Sequence, residues 1–99
     1  MSDKVPGIEG RIHAVTEITN QRGLHARASA KFVETVSRYS CKVSVFKDGM
    51  TVSGRSIMGL MMLGAGKGSA IELLAEGRDS KEVMRELLQL IGSKFHEDQ

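Results

Sequence analysis

His25 is the residue of this sequence best placed to do chemistry. It lies in "RGLHARAS", residues 22–29, between a glycine turn and the predicted start of a helix, with Arg27 two residues on. The first N–H groups of a helix lack intrahelical partners and carry partial positive charge, which favours anions. The same charge disfavours an imidazolium, so we expect a neutral ring with a free nitrogen lone pair. A phosphoryl group attacked by that nitrogen would meet the helix N–H groups and the Arg27 guanidinium. On these residues alone, a polar loop residue or helix cap remains the alternative.

Ser56 is the second candidate, because it directly precedes the apolar segment "SIMGLMMLG". Serine is a preferred N-cap, so the sequence predicts a short helix that begins at Ile57. This helix would be apolar nearly all round, and a surface helix of a small domain cannot bury every side. Its flexible methionines suit a surface that docks several unlike partners. We expect Leu60 and Leu63 to belong to the core.

The sequence gives no sign of a nucleotide or metal site. A P-loop needs a glycine separated by four residues from Gly-Lys-Ser/Thr, but Met61 takes that position before Gly66-Lys67, and Gly68 follows the lysine. His13 and His96 have no companions at ligand spacing, and Cys41 is the only cysteine, which excludes an intrachain disulfide. We therefore expect neither metal nor cofactor.

Composition narrows the function classes further. The 99 residues suit one domain, and a net charge of +2 with 4% aromatic residues does not indicate nucleic-acid binding. No apolar run approaches the roughly 20 residues that span a bilayer, and the N-terminus lacks the apolar stretch of a signal peptide. We expect a cytoplasmic protein without membrane insertion.

The hydrophobic pattern predicts the order β-α-β-β-α-β-α. Residues 1–10 are predicted to be a loose N-terminal extension and residues 11–99 a single domain. Asp48-Gly49 predicts a two-residue hairpin, and Asp79 with Glu82 has capping-box spacing before the last helix. Strands with one apolar face need helices on that face alone, which gives a two-layer α+β sandwich. The predicted strands span residues 11–19, 41–47, 50–53 and 70–76; the predicted helices span about 27–39, a short segment from 57, and about 79–92.

Two segments resemble a known family. "ITNQRGLHARASAKFVETV", followed by "GRSIMGLMMLGAGKGSAIELLAEG", is similar to HPr, the histidine phosphocarrier family of the bacterial phosphotransferase system. The resemblance covers about residues 12–95. The "ITN..G.HAR" opening and the "FHED" tail are also similar to its nitrogen-regulatory paralogue, NPr. The resemblance implies a four-stranded antiparallel sheet in the order 1-4-2-3 with three helices on one face, an open-faced sandwich.

The resemblance also implies roles for individual residues. His25 would be phosphorylated through Nδ1, with the Arg27 guanidinium and the backbone N–H groups of Ala26 and Arg27 supporting the phosphoryl oxygens. The phosphoryl donor would be enzyme I, and the acceptors would be enzyme IIA proteins. Ser56 would be a regulatory phosphorylation site for a dedicated HPr serine kinase/phosphorylase. We place the partner contacts at Leu24, Ile57, Met58 and Met61, and we expect a monomer.

The sequence departs from the family within the site and at its end. Ala28 stands where the family usually has proline, and we expect a first helical turn looser by about 0.4–1 kcal/mol. The C-terminus runs past the usual family end, so no role is assigned to the terminal carboxylate. Two other functions stay open: a regulatory binding module controlled through Ser56 with His25 idle, and a small-molecule-binding domain. As a phosphocarrier, the protein would serve either sugar uptake or carbon and nitrogen regulation.

Overall fold

The computed structural model describes residues 10–97, and the predicted loose extension lies outside them except for Gly10. The predicted order of strands and helices is confirmed. The chain runs β1 (Arg11–Glu17), α1 (Ala26–Ser37), β2 (Lys42–Lys47), β3 (Met50–Ser53), α2 (Ile57–Met62), β4 (Ala70–Glu76) and α3 (Ser80–Gly92), followed by a short 3₁₀ turn (Lys94–His96). β1 ends two residues earlier than predicted because Ile18 bonds to the loop before β4, at Gly68 and Ser69.

The four strands form one antiparallel sheet in the order β1-β4-β2-β3, as the resemblance implied. β4 is therefore an inner strand, paired with β1 on one side and β2 on the other. The β2–β3 hairpin turns at Asp48 and Gly49, whose φ angles of 49° and 81° are those of the predicted two-residue turn.

The core lies between one face of this sheet and the helices. Alternate residues of β4 point into it, because side chains along a strand alternate between faces. Leu60 and Leu63 are buried as expected. The fully buried side chains of this layer include Phe32 and Val36 of α1, Ile71 and Leu73 of β4, Val83, Leu87 and Ile91 of α3, and Phe95 beyond α3. No helix within residues 10–97 has the length and apolarity needed to cross a bilayer.

The predicted capping box at α3 does not form. Asp79 is the N-cap residue, but its side chain makes no cap hydrogen bond. Its carboxylate instead accepts the backbone N–H of Ser40 at 2.8 Å. The prediction was wrong because a tertiary contact, 39 residues away in sequence, engages the carboxylate. Asp79 thus joins the α1–β2 connection to the start of α3.

α1 begins at Ala26, one residue before the predicted start, so Ala28 is its third residue. The Ala28 side chain is completely buried against the core. Ala28 therefore packs on the core, and the looser first turn expected from the absence of proline stays a prediction.

Candidate functional site

The loop between β1 and α1, which positions His25, contains a glycine that no other residue could replace unless the neighbouring backbone moved. Gly23 has φ +65°, and a Cβ built there would lie 2.4 Å from the carbonyl oxygen of Ala65. The next residue, Leu24, donates its backbone N–H to the same carbonyl at 2.9 Å. The loop that precedes α1 is therefore fastened to the loop that follows α2.

His25 is the N-cap of α1. Its backbone is extended, with φ −76° and ψ −177°, and Nδ1 accepts the backbone N–H of Arg27 at 3.2 Å. Its carbonyl accepts the N–H of Ser29 at 2.8 Å, the first turn of the helix. Because Nδ1 accepts a hydrogen bond, it carries the lone pair, and the ring proton of the neutral form lies on Nε2. The side chain is 18% exposed.

The structure brings Ala26 and Arg27 to the same helix end. Both are exposed, and Ala26 is the first residue of α1. Arg27 is exposed, and within residues 10–97 its guanidinium has no hydrogen bond or ion pair. A helix N-terminus, an exposed cation and a histidine with a directed lone pair together favour binding and nucleophilic attack on an anionic group.

Glu97 is a site residue that the sequence analysis missed. Its carboxylate is hydrogen-bonded to Nε2 of His25, and it also accepts the side-chain N–H of Asn20 at 3.2 Å. Burial acts to raise the pKa of Glu97, but the hydrogen bonds from His25 and Asn20 outweigh it and lower the pKa below its ordinary value. The available signal was Phe95, an apolar residue in an otherwise polar tail, which indicates that the tail packs on the domain.

A surface depression of about 280 Å³ opens beside the histidine. Its lining includes His25, Met61 and the exposed Arg22. Arg22 is a second residue the sequence analysis did not select, and with Arg27 it makes the surroundings of His25 favourable for an anion. A larger depression of about 400 Å³ lies elsewhere, on the uncovered face of the sheet around His13 and Phe46.

The α2 residues predicted to contact partners are exposed, whereas Leu24 is not. Ile57, Met58 and Met61 are 41%, 70% and 42% exposed, and Met62, which was not selected, is 65% exposed. Leu24 is only 5% exposed. It belongs to the core, yet it also lines a depression beside His25 together with Met61, so its role in partner contact stays a prediction. We call Ile57, Met58, Met61 and Met62 the α2 surface.

Ser56 caps α2, as predicted. Its Oγ accepts the backbone N–H of Gly59 at 2.9 Å, and the side chain is half-buried. The neighbouring Arg55 donates to the carbonyls of Tyr39 and Cys41, each at 3.0 Å, and so fixes the segment that precedes α2.

In the part of the chain described by the structure, no group of three or more His, Cys, Asp or Glu side chains could hold a metal ion. His13 faces Glu72 at 3.4 Å across β1 and β4. His96 lies within 3.3 Å of the Ser93 hydroxyl. Neither histidine belongs to the cluster around His25.

A family model described as "PTS HPr component phosphorylation site" matches residues 12–93 of the chain. Among curated proteins, the chain is 53% identical to a phosphocarrier protein HPr of Neisseria meningitidis over 81 residues, covering 82% of this chain and 91% of the relative. It is 47% identical to the phosphocarrier protein HPr of Pseudomonas aeruginosa, with 81% and 90% covered. It is also 43% identical to the HPr-like protein Crh of Halalkalibacterium halodurans, with 76% and 89% covered.

Solved structures give the same similarity. A crystal structure of HPr from Thermoanaerobacter tengcongensis superposes with a TM-score of 0.85 at 44% identity, covering 89% of this chain and 99% of that one. A phosphocarrier protein HPr from Bacillus anthracis superposes with a TM-score of 0.78 at 34% identity, covering 82% and 96%.

Proposed function

The chain belongs to the HPr phosphocarrier family of the phosphotransferase system, and from this premise we propose that it carries a phosphoryl group on Nδ1 of His25. The observation that supports this most is the hydrogen bond from the Arg27 N–H to Nδ1. It directs the lone pair of that nitrogen to the N-terminal end of α1, where an anion is stabilised.

In the proposed step, Nδ1 attacks the phosphorus of a phosphohistidine on enzyme I. An Nδ1–P bond forms, the P–N bond of the donor breaks, and its electron pair returns to the donor ring. The Nε2 proton stays on His25, and the phosphoryl oxygens accept hydrogen bonds from the backbone N–H groups of Ala26 and Arg27. The Arg27 guanidinium balances their charge. Positioning and electrostatics are sufficient for such a transfer, so the carrier needs no cofactor.

The α2 surface is the proposed docking site for enzyme I and for the enzyme IIA proteins that receive the phosphoryl group. Met61 and His25 line the same depression, so this apolar surface is continuous with the surroundings of His25. Methionine side chains adapt to different partners, which suits a carrier that must fit a donor and an acceptor. We propose that the protein is monomeric and, like its proposed partners, cytoplasmic.

A regulatory module controlled through Ser56 is the second candidate. It is favoured by the 35% identity to Crh of Bacillus subtilis, a solved structure whose name describes it as a catabolite repression HPr. A phosphate on Ser56 would place about two negative charges beside the exposed Ile57 and Met58. Such a charge would change docking without unfolding α2, since a helix N-terminus tolerates an anion.

The proposed function is tested by incubating the protein with enzyme I and phosphoenolpyruvate and measuring its intact mass. We expect the gain of one acid-labile phosphate in the wild type, in His13→Ala and in Ser56→Ala, and none in His25→Ala. An unlabelled wild type would refute the phosphocarrier. Normal in-cell function of His25→Ala, together with loss of function in Ser56→Ala, would favour the regulatory module.

A further inference from the structure

The C-terminal turn is fixed on the domain beside His25. Phe95 is completely buried, and its carbonyl accepts the Lys31 ammonium at 2.6 Å. Lys94, Phe95 and His96 all have left-handed backbones, with φ of 58°, 55° and 60°. This conformation costs non-glycine residues free energy, so the packing of Phe95 must compensate for it. The turn thereby brings Glu97 to the histidine, 72 residues away in sequence.

We propose that Glu97 is a positioning residue that holds His25 in the tautomer with its proton on Nε2 and stabilises the ring when Nδ1 is phosphorylated. The inference rests on the proposed function and extends it to a residue in the C-terminal tail. The two ring nitrogens have complementary partners: Nδ1 faces a backbone N–H, which only a lone pair can accept, and Nε2 faces a carboxylate, which prefers a donor. Both contacts favour the same tautomer.

Asn20 fixes the carboxylate that faces the ring. This side chain is completely buried, and its amide N–H groups go to the Gly23 carbonyl at 2.8 Å and to Glu97 at 3.2 Å. Its Oδ1 has no hydrogen-bond partner among the described residues. The opposite amide orientation would point that oxygen at two other acceptors. Asn20 therefore links Gly23, which positions the loop, to Glu97, which orients the ring.

The transfer chemistry makes the negative charge of Glu97 useful. When Nδ1 forms its bond to phosphorus, the proton already on Nε2 remains, and the ring gains a positive charge. A carboxylate hydrogen-bonded to Nε2 stabilises this charged ring more than the neutral one. As the phosphoryl group leaves for an acceptor nitrogen, the Nδ1–P bond breaks, its electrons return to Nδ1 and the ring becomes neutral again. Glu97 therefore influences both directions without exchanging an atom.

The test compares the wild type with Glu97→Gln, which keeps the shape but removes the charge, and with Glu82→Gln, the same change at an exposed position of α3. Long-range ¹H–¹⁵N NMR at about pH 8.5, where an ordinary imidazole is neutral, reports which His25 nitrogen carries the proton. The rate of phosphorylation by enzyme I and phosphoenolpyruvate is measured on the same samples, with the fold of each checked by its amide spectrum.

We expect the wild type and Glu82→Gln to show the Nε2–H tautomer of His25. In Glu97→Gln we expect a mixture of tautomers and a phosphorylation rate lower by about 10- to 100-fold, by analogy with loss of the carboxylate partner of a metal-bound histidine. An unchanged tautomer or an unchanged rate in Glu97→Gln would overturn the proposal. If the wild type is not phosphorylated at all, the proposed function fails, and the NMR comparison still decides whether Glu97 sets the tautomer.

Discussion

The backbone N–H of Arg27 donates to Nδ1 of His25 over 3.2 Å, so one nitrogen is both the cap of α1 and the proposed nucleophile. Phosphorylation of Nδ1 would end this cap and offer the same N–H to a phosphoryl oxygen. The Arg27 N–H therefore has an acceptor in both states, Nδ1 before phosphorylation and a phosphoryl oxygen after it. The capping role and the transfer role can be separated by substitution.

Replacement of His25 by alanine is expected to lower the free energy of unfolding by about 0.5–2 kcal/mol, the cost of losing an N-cap. His25→Asn should be closer to the wild type, because asparagine is among the preferred caps. Neither variant should accept a phosphoryl group from enzyme I. Urea unfolding measures the stability, and equal stability of His25→Ala and the wild type would contradict the capping role.

Gly23→Ala should lower the free energy of unfolding more than Gly64→Ala. Both glycines have φ +65°, so both substitutions carry the left-handed penalty of roughly 1–2 kcal/mol. Only at Gly23 does the added Cβ meet backbone atoms, the Ala65 carbonyl oxygen at 2.4 Å and Gly66 Cα at 2.7 Å, whereas nothing lies within 4 Å at Gly64. The difference between the melting temperatures of the two variants measures the cost of this steric clash. Equal melting temperatures would show that the loop at Gly23 can move away from Ala65 without loss of stability.

The hydrophobic pattern predicted the order of elements well because each element carries its own periodicity. The β2–β3 turn followed from Asp48-Gly49, and the burial of Leu60 and Leu63 followed from an apolar segment between glycines. The sheet order did not follow from periodicity and came from the family resemblance. Pairing of β1 with β4 depends on contacts between strands about 60 residues apart, and local patterns do not encode them.

The residues of the candidate site also fall into those that local sequence predicts and those that depend on contacts between distant residues. His25, Ala26 and Arg27 are consecutive, so the chemistry of a helix N-terminus could be predicted from them. Glu97 could not be predicted, because only the burial of Phe95 brings it to the ring. Conversely, the local capping signal at Asp79 was wrong because Ser40 competes for the carboxylate. Tertiary contacts decided both cases.

Phe95→Ala is expected to destabilise the fold by about 3–5 kcal/mol, the cost of removing a buried aromatic side chain. The side chain is completely buried, although it lies outside the predicted last helix. Glu97→Gln serves as the control, since it changes the same turn without removing apolar contacts. Denaturant unfolding measures both. A loss below about 1 kcal/mol in Phe95→Ala would mean that the C-terminal turn is not part of the core.

Two neighbouring substitutions on α2 should have opposite consequences. Leu60→Ala removes a completely buried side chain and should cost about 2–5 kcal/mol of stability. Met58→Ala changes a side chain that is 70% exposed, so its stability should stay within about 0.5 kcal/mol of the wild type. Because Met58 belongs to the proposed docking surface, Met58→Ala should instead raise the KM that enzyme I shows for this protein in the phosphorylation assay. An unchanged KM would remove Met58 from the proposed docking surface.

The stability of the wild type should fall more steeply at acid pH than that of Glu97→Gln. Burial would raise the pKa of Glu97, but the hydrogen bonds from His25 and Asn20 lower it in the folded protein. The unfolded chain, with an ordinary carboxyl pKa of about 4.3, therefore binds the proton more readily. The stabilisation is present above that pH and is lost as pH falls through the lower, folded pKa. Glu86, whose pKa is lowered by hydrogen bonds from Tyr39 and Arg38, acts equally in both proteins and cancels. Urea unfolding between about pH 6 and pH 3 measures the difference, and parallel curves would show that Glu97 gains nothing from its partners on folding.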